Sequence, residues 1–287
     1  MKITSFTFIF ILVFLGNINS QNYMIVYYGK EVQYDSNFFH KHRTNIEEIK
    51  IGTNSFTKDN TQKIIVKPED KLEIHFISSV TSLESFFDRL FDDNAEYITY
   101  VDLTNFDATS VTSTKNMFYE CLSLESVTFS EFNYKLSDTQ SMFDFCESLE
   151  TINLSRLNMS SVTNTMYMFF DCLSMETLLM QNADLGKVEK ATGMFFDLKA
   201  LEYIDLKGAT ITDSVNEEIA KDLNTKNSLV VCQSEGTEGG YIKNEEFKHI
   251  CSNYDIQTHI CERTSNYIIM EMKPIMKMAS TIIIEKV

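Results

Sequence analysis

The middle of the chain repeats itself at intervals of 25 or 26 residues. A Met-Phe pair recurs at a step of 25 and then twice at a step of 26, and an aliphatic residue stands six residues before each methionine. A cysteine or a leucine stands four residues after it. The pairs and these later partners are Met117-Phe118 with Cys121, Met142-Phe143 with Cys146, Met168-Phe169 with Cys172, and Met194-Phe195 with Leu198. A period of this length is typical of chains that stack one structural unit on the next.

A strand-like phrase follows each Met-Phe pair. Apolar and polar residues alternate in it, which turns one side of a short strand inward. The apolar spacing before the phrase fits a short helix or an irregular helical turn that returns the chain. Neither segment can bury its apolar side alone, so we expect the units to stack with parallel strands about 4.8 Å apart. The predicted fold is α/β, a leucine-rich-repeat solenoid of about five strand-plus-short-helix coils. The strand phrases are residues 98–103, 124–129, 149–154, 175–180 and 201–206.

Two stretches of the repeat, residues 103–124 and 154–174, carry a resemblance to a known family. Each combines Leu-x-x-Phe/Leu, a Ser-Val-Thr phrase, the Met-Phe pair and Cys-Leu-Ser at fixed spacings. This pattern resembles the repeat of BspA-type leucine-rich-repeat surface proteins over residues 76–212, with departures at Phe86, Leu90 and Leu198. That family occurs on oral bacteria and mycoplasmas, is expanded in some parasitic protists, and is associated with adhesion. The resemblance implies a secreted or surface binding role and supplies no catalytic residue.

The segments on either side of the repeats predict a terminal structure at each end. Val80, Phe86-Phe87 and Leu90 form a degenerate first copy, as expected of a repeat that lacks a neighbour on one side. Residues 21–75 contain strand-like runs and form either a small β domain or an N-terminal cap, with a hairpin turn predicted at residues 67–71. Residues 213–287 are expected to form a C-terminal cap and a small appendage, beginning with a helix at Asp213–Leu223.

The first 20 residues have the order of a secretory signal peptide. Lys2 precedes an apolar run over residues 6–15, and small and polar residues follow up to Ser20. The run is too short to span a bilayer comfortably, and no later stretch reaches the length of a transmembrane helix. We therefore expect cleavage after Ser20 and a secreted or extracellular surface protein without a transmembrane span; an uncleaved anchor or a buried strand is the alternative.

Composition excludes several classes of protein. The chain is 44% hydrophobic and 23% charged, which excludes wholesale disorder. Twenty-five Lys and Arg against 41 Asp and Glu give a charge of −16, and removal of residues 1–20 leaves 24 against 41, or −17. No cationic cluster is present to displace counterions from phosphate, so we expect no nucleic-acid partner.

The cysteines divide into two groups. Cys121, Cys146 and Cys172 share one phase of the repeat and are expected to stack as buried core thiols. Cys232, Cys251 and Cys261 follow the repeats, and secretion favours a disulfide between two of them, with the pairing open; a bond from Cys232 to Cys251 or Cys261 would staple the end coil. The alternative is a zinc site, because His249 and Cys251, and His259 and Cys261, repeat a His-x-Cys phrase. That spacing matches no common zinc finger, so no metal site and no cofactor are predicted.

No motif supports catalysis. The chain lacks HExxH, GxSxG, a P-loop and a GxGxxG that opens a helix. His40 and His42 are predicted to be surface residues, and His75 a structural residue at a strand edge. We therefore expect a protein that is not an enzyme.

The outward positions of the parallel strands are the predicted binding site. In a solenoid of this kind they line the concave surface, and here most of them carry hydroxyl or amide groups suited to a protein or glycan. Large side chains dominate binding energy, which makes Tyr100, Leu179 and Tyr203 the predicted anchors. The predicted ligand-binding positions are Tyr100, Asp102, Thr104, Ser126, Thr128, Ser130, Thr151, Asn153, Ser155, Thr177, Leu179, Gln181, Tyr203, Asp205 and Lys207.

These observations predict a recognition or adhesion protein. Its partner would be an extracellular protein or a glycan. The alternative is a self-associating surface-coat component, in which the acidic charge serves solubility or binds calcium between molecules; a secreted hydrolase is a third possibility. Asn153 and Asn158 fit the N-glycosylation pattern, and a glycan on Asn153 would crowd the predicted binding face.

Overall fold

A computed structural model describes most of the chain between residues 22 and 269. Several predictions fall outside the described residues: the signal peptide, the two surface histidines, Leu90, Ser130 and His259. The described residues are 22–34, 45–57, 62–77, 79–89, 92–129, 136–223, 229–232, 249–251, 253–255, 260–262 and 268–269, the last four ranges for their backbone only.

The repeats form a β-solenoid of about five turns. Each strand phrase becomes a strand of three to five residues. The strands pair in parallel without any shift in register within two sheets, one holding the first two phrases and the other holding the last three. Thr151 lies beside Thr177, which lies beside Tyr203, so each position of the repeat becomes a row that crosses the coils. The parallel solenoid predicted from the period is therefore present. The strands are β1 (Tyr23–Tyr28), β2 (Val32–Tyr34), β3 (Ile46–Ile51), β4 (Asn54–Thr57), β5 (Ile64–Val66), β6 (Leu72–Phe76), β7 (Ile98–Asp102), β8 (Ser126–Thr128), β9 (Thr151–Asn153), β10 (Thr177–Leu179), β11 (Asp184–Leu185), β12 (Tyr203–Asp205), β13 (Thr210–Ile211), β14 (Val230–Cys232), β15 (His249–Cys251), β16 (Asn253–Asp255), β17 (Ile260–Glu262) and β18 (Ile268–Ile269).

The return segments differ from the predicted short helix. In the described repeats they are successive tight turns, and an α-helix is absent from them. Their amide groups donate to the next coil: Phe118 N donates to Met142 O at 3.0 Å, and Phe143 N to Met168 O at 3.0 Å. An amide group used in this way is not available to the carbonyl four residues earlier, so the α-helical ladder does not form. Each return instead contains two left-handed residues, such as Ser141 and Phe145.

A column of phenylalanine rings fills the centre of the solenoid. The second residue of each Met-Phe pair is buried and stacks on its equivalent in the next coil. Centroids of Phe118 and Phe143 are 5.4 Å apart, and those of Phe143 and Phe169 are 5.8 Å apart, with the planes within 11° of parallel. The offset-stacked arrangement is one that aromatic rings favour. The column runs from Phe87 to Phe195 and ties every coil to its neighbours.

The three repeat cysteines form the predicted buried column. Each thiol donates to the carbonyl oxygen of a phenylalanine in the preceding coil, as Cys146 Sγ does to Phe118 O at 3.2 Å. Cys121 and Cys172 make the equivalent bonds. Burial raises the pKa of all three thiols well above its ordinary value. They therefore act as small core side chains, as the repeat phase indicates.

The N-terminal strands extend the same sheet. β1 pairs antiparallel with β7 on one side and with β6 on the other, giving the order β4-β3-β6-β1-β7-β8. Its buried residues belong to the core that continues through the repeats. The predicted turn at residues 67–71 is present, with Lys67 N donating to Asp70 Oδ2 at 2.9 Å. The predicted hairpin is not, because β5 pairs with β2 and β6 pairs with β1 and β3.

The chain beyond the repeats begins with the predicted helix. Helix α1 (Asp213–Leu223) buries Val215, Ile219 and Leu223, which recur every four residues on one face. Thr212 caps its start, because Thr212 Oγ1 accepts from Val215 N at 3.4 Å. β14 and β15 then continue the parallel sheet beyond β12. β16, β17 and β18 form a separate antiparallel sheet.

Replacing Phe143 by alanine should destabilise the protein by about 3–5 kcal/mol, because it opens a cavity between two stacked rings. Ile77→Ala is the matched control, since that side chain is 62% exposed and its loss should cost less than about 0.5 kcal/mol. Urea unfolding followed by circular dichroism measures both. Equal losses of stability in the two variants would show that the phenylalanine column does not contribute specially to the stability of the fold.

A buried carboxylate makes stability depend on pH. Asp144 is 6% exposed, and burial, together with Asp171 and Glu120 nearby, raises its pKa from 3.8 to about 7 despite a hydrogen bond with Ser141. Between these values the folded chain holds a proton that the unfolded chain has released. The free energy of unfolding therefore falls as pH rises from about 4 through about 7.

Asp144→Asn should remove this fall in stability. We expect the variant to be more stable than the parent at pH 8 by about 1 kcal/mol, less than the full shift implies because water screens part of the carboxyl group. At pH 5.5 the difference should be smaller. Urea midpoints at the two pH values provide the measurement, and Glu150→Gln, an exposed carboxylate of the same coil, is the control. A difference that does not change with pH would contradict the assignment.

Candidate functional site

The outward side chains of the parallel strands line up in rows across the coils. One row contains Tyr100 beside Ser126, and Thr151 beside Thr177 and Tyr203. Two residues further along, a second row contains Asp102 beside Thr128, and Asn153 beside Leu179 and Asp205. We call these two rows, with the polar residues that follow each strand, the strand face. The sequence pattern predicted this alignment, and the strand register brings these residues together within each of the two sheets.

The first coils leave the strand face open. Tyr100 and Thr128 are half-buried, and their hydroxyl groups hydrogen-bond at 2.8 Å across β7 and β8. Thr104 is exposed, and its amide group donates to Asp102 Oδ1 at 2.8 Å, so the aspartate also forms the turn that ends the strand. Asn153 repeats that turn by accepting from Ser155 N at 2.9 Å. This half of the face presents hydroxyl and amide groups beside one aromatic ring.

In the last coils the outward positions of the strand face are buried. Tyr203 is 2% exposed and Asp205 is 1% exposed, so neither is the surface position that was predicted. Tyr203 Oη donates to Asp205 Oδ2 at 3.0 Å, Gln181 Nε2 donates to the same oxygen, and Lys207 N donates to Oδ1 at 2.9 Å. Burial first, and then the neighbouring Cys232 and Asp205, raise the pKa of Tyr203 well above its ordinary value. Thr177, another predicted position, is 8% exposed.

The outer side of the N-terminal sheet adds aromatic residues that the repeat pattern did not indicate. Tyr27 lies beside Tyr100 across β1 and β7, with ring centroids 5.8 Å apart. Tyr23 stacks on His75 with centroids 4.9 Å apart. The signal for them is the alternation within β1, which turns Tyr23 and Tyr27 away from the core. The strand face therefore continues onto a tyrosine surface.

A carboxylate supports this tyrosine surface. Glu73 Oε2 lies 2.9 Å from His75 Nε2, and Glu73 Oε1 lies 2.8 Å from Lys71 Nζ. Burial alone would raise the pKa of Glu73, but the hydrogen bonds from Lys71 and His75 outweigh it and lower the pKa. His75 is thus held in place beside Tyr23. Its predicted position at an edge was wrong, because β6 pairs with β1 on one side and with β3 on the other.

Both predicted glycosylation sites are exposed. Asn153 lies on the strand face, and Asn158 lies five residues further along the chain. Asn158 Oδ1 accepts from Ser160 N at 3.1 Å and from Ser160 Oγ at 2.6 Å. A glycan on Asn153 would compete with a ligand for the strand face, whereas Asn158 lies beyond the strands.

Strand pairing separates the two predicted disulfide partners of Cys232. β14 lies beside β15, in the register that places Cys232 next to Cys251. Cys261 lies on β17, in the separate antiparallel sheet. The register therefore places Cys251, and not Cys261, on the strand beside Cys232. In the part of the chain that is described, no group of three or more His, Cys, Asp or Glu is placed to hold a metal ion.

The sequence model of one protein family matches this chain. The family described as "Mycoplasma protein of unknown function, DUF285" matches residues 73–206, slightly less than half of the chain. The match begins in β6 and ends just after β12, so it covers all but the last six residues of the solenoid predicted at residues 76–212. No curated protein or solved structure shows detectable similarity to the chain. Among the described helices, none has the length and hydrophobicity needed to cross a bilayer.

Tyr203→Phe should destabilise the protein by about 1–2 kcal/mol, because it removes a donor from a buried carboxylate. Tyr100→Phe is the matched control: its hydroxyl bond to Thr128 is half-exposed and water can replace it, so the expected loss is below about 0.5 kcal/mol. Thermal unfolding of both variants measures the difference. If the two losses were equal, the Tyr203 network would not be an internal structural element.

Proposed function

We propose that this chain is a secreted or cell-surface recognition protein that binds an extracellular protein or a glycan through its strand face. Its proposed role is binding without catalysis. The observation that carries the proposal is the open half of the strand face, where half-exposed Tyr27 and Tyr100 adjoin hydroxyl and amide groups. Aromatic anchors with adaptable polar groups around them are typical of recognition surfaces.

The geometry of the solenoid supports a binding role. Parallel pairing holds the side chains of one row at the spacing of neighbouring strands, and the core beneath them is fully buried. A surface fixed in this way loses little conformational entropy when a partner binds. The rows differ from coil to coil, from Thr128 to Asn153 to Leu179, so the face offers a sequence of contacts along its length.

The finer assignment is to BspA-type leucine-rich-repeat surface proteins, with terminal caps on the solenoid. It is supported by the repeat spacings and is compatible with the family model over residues 73–206. The extracellular location is supported by the signal-peptide pattern of residues 1–20.

A glycan and extracellular-matrix protein array tests the proposal. The purified protein should give a saturable signal, with and without calcium. Combined replacement of Tyr100, Thr151 and Leu179 by alanine should weaken that signal at least tenfold, because all three side chains lie on the open part of the strand face. Tyr203 is left intact because its replacement would disturb a buried network rather than a contact.

A control variant separates the strand face from the rest of the surface. Thr163, Lys187 and Glu189 are exposed on the return side, and their replacement by alanine should leave array binding within about twofold. An equal loss in both variants would place the binding site elsewhere. A blank array together with calcium-dependent light scattering would support the alternative, a self-assembling surface coat.

A further inference from the structure

The two positions after each Met-Phe pair show a pattern of their own. In four consecutive coils one of them is an aromatic residue and the other is acidic. The order is inverted in one coil, yet every coil still supplies one ring and one carboxylate. We call these residues, together with Tyr167, the return-side stripe. The pairs are Tyr119-Glu120, Asp144-Phe145, Phe170-Asp171 and Phe196-Asp197.

The rings of the stripe touch one another along the outside of the solenoid. Centroids of Tyr119 and Phe145 are 6.3 Å apart, those of Phe145 and Phe170 are 5.6 Å apart, and those of Phe170 and Phe196 are 4.9 Å apart. Unlike the central phenylalanine column, these rings reach the surface: Phe196 is 46% exposed and the other three are half-buried. A continuous apolar row of this kind on a surface marks an interaction site.

Two of the rings occupy backbone positions that disfavour them. Phe145 has φ of 58° and Tyr167 has φ of 56°, in the left-handed region where Gly, Asn and Asp are preferred. Tyr167 packs on Phe170 with centroids 5.6 Å apart, and a Cβ atom at Gly193 would lie 2.7 Å from its ring. Asn116, two coils before Tyr167, occupies the equivalent left-handed position and has no aromatic ring. The turn can therefore form without an aromatic residue. We attribute the presence of these rings to a binding role of the surface that they form.

The carboxylates of the stripe meet basic side chains of the same chain at its two ends. Arg89 Nη1 lies 3.1 Å from Glu120 Oε2, and Lys199 Nζ lies 2.7 Å from Asp197 Oδ2. In the middle, Asp144 Oδ1 and Asp171 Oδ1 are buried and have no hydrogen-bond partner among the described residues. Asp144 as a whole is 6% exposed. Buried carboxylate oxygens without donors favour the arrival of a cation.

We propose that the return-side stripe binds an extended segment of another polypeptide that carries lysine or arginine side chains. The aliphatic part of each basic side chain packs on the aromatic row, and its charged end pairs with the carboxylate of the same coil. The two ion pairs within the chain show the charge pairing at the ends of the stripe, and the middle coils offer the same pairing to a partner. This surface lies on the return side and is separate from the strand face.

A glycan fits the stripe less well than a basic polypeptide. Sugar rings pack on open aromatic faces, but Phe170 and Phe196 turn their faces toward each other, with an angle of 12° between the planes. Each coil also supplies one carboxyl group, which can pair with a basic side chain and gains less from neutral hydroxyl groups. The observations therefore favour the basic polypeptide.

Fluorescence anisotropy with a labelled deca-lysine peptide tests the proposal on the full chain. Binding should be saturable, should weaken as sodium chloride is raised, and should vanish when the lysines are acetylated. Asp144→Asn with Asp171→Asn should weaken it at least tenfold, because it removes the two middle carboxylates that lack a donor, and asparagine keeps the left-handed turn at residue 171. Phe145→Asn should also weaken it at least tenfold without lowering the thermal midpoint, since asparagine relieves the backbone position.

The matched control removes two charges elsewhere. Glu125→Gln with Glu189→Gln lies outside the stripe at exposed positions and should leave peptide binding within about twofold. Equal weakening by this control would show attraction to the overall charge of −16 and overturn the proposal. Absence of lysine-peptide binding, or binding of a neutral maltooligosaccharide that Phe145→Asn abolishes, would also overturn it. The strand-face variant should bind the peptide normally, so this test and that of the proposed function fail independently.

Discussion

The structure depends on the registry between one coil and the next. The parallel strands pair without a shift within each of two sheets. Between β8 and β9, where the sheets separate, the return segments still pair from coil to coil, as Phe118 N does with Met142 O. Equivalent side chains then fall directly above one another. The phenylalanine rings stack, the thiols reach the carbonyl groups of the preceding coil, and short polar side chains close the corners. A coil outside the stack would leave these donors and apolar faces exposed to water, so each coil is stable only beside another.

Registry also explains how much of the fold could be predicted. A period of 25 or 26 residues fixes which residues share a row, and the inward rows and the cysteine column follow from it. Helix α1 lies beyond the repeats and follows from its own apolar spacing. The hairpin at residues 67–71 was wrong because strand pairing there is set by contacts distant in sequence. The helical return was wrong because apolar spacing alone does not reveal where an amide group donates. Tight turns and a short helix bury similar positions and differ in their hydrogen bonds.

The candidate site was predictable in position but not in exposure. Alternation shows that Tyr203 and Asp205 point outward from the strand, yet both are buried, and only the fold reveals it. Tyr27 escaped notice for the opposite reason: it lies outside the repeats and joins the strand face through the antiparallel pairing of β1 with β7. The alternating rings and carboxylates of the return side were visible in the sequence as a pattern. Their meaning depended on contacts between neighbouring coils, which bring Tyr119, Phe145 and Phe170 together despite the inverted order in one coil.

The antiparallel strand at the start of the solenoid makes its two ends different. A parallel stack offers the same edge at both ends, and a second molecule would dock there by repeating the register. Because β1 runs against β7, that register is interrupted where the first coil begins. The sheet then continues to β4, a four-residue strand with Asn54, Ser55 and Thr57 among its residues, which is short and polar in the way that discourages edge-to-edge pairing. Addition of a second molecule through this end, in the register of the repeats, is thereby disfavoured.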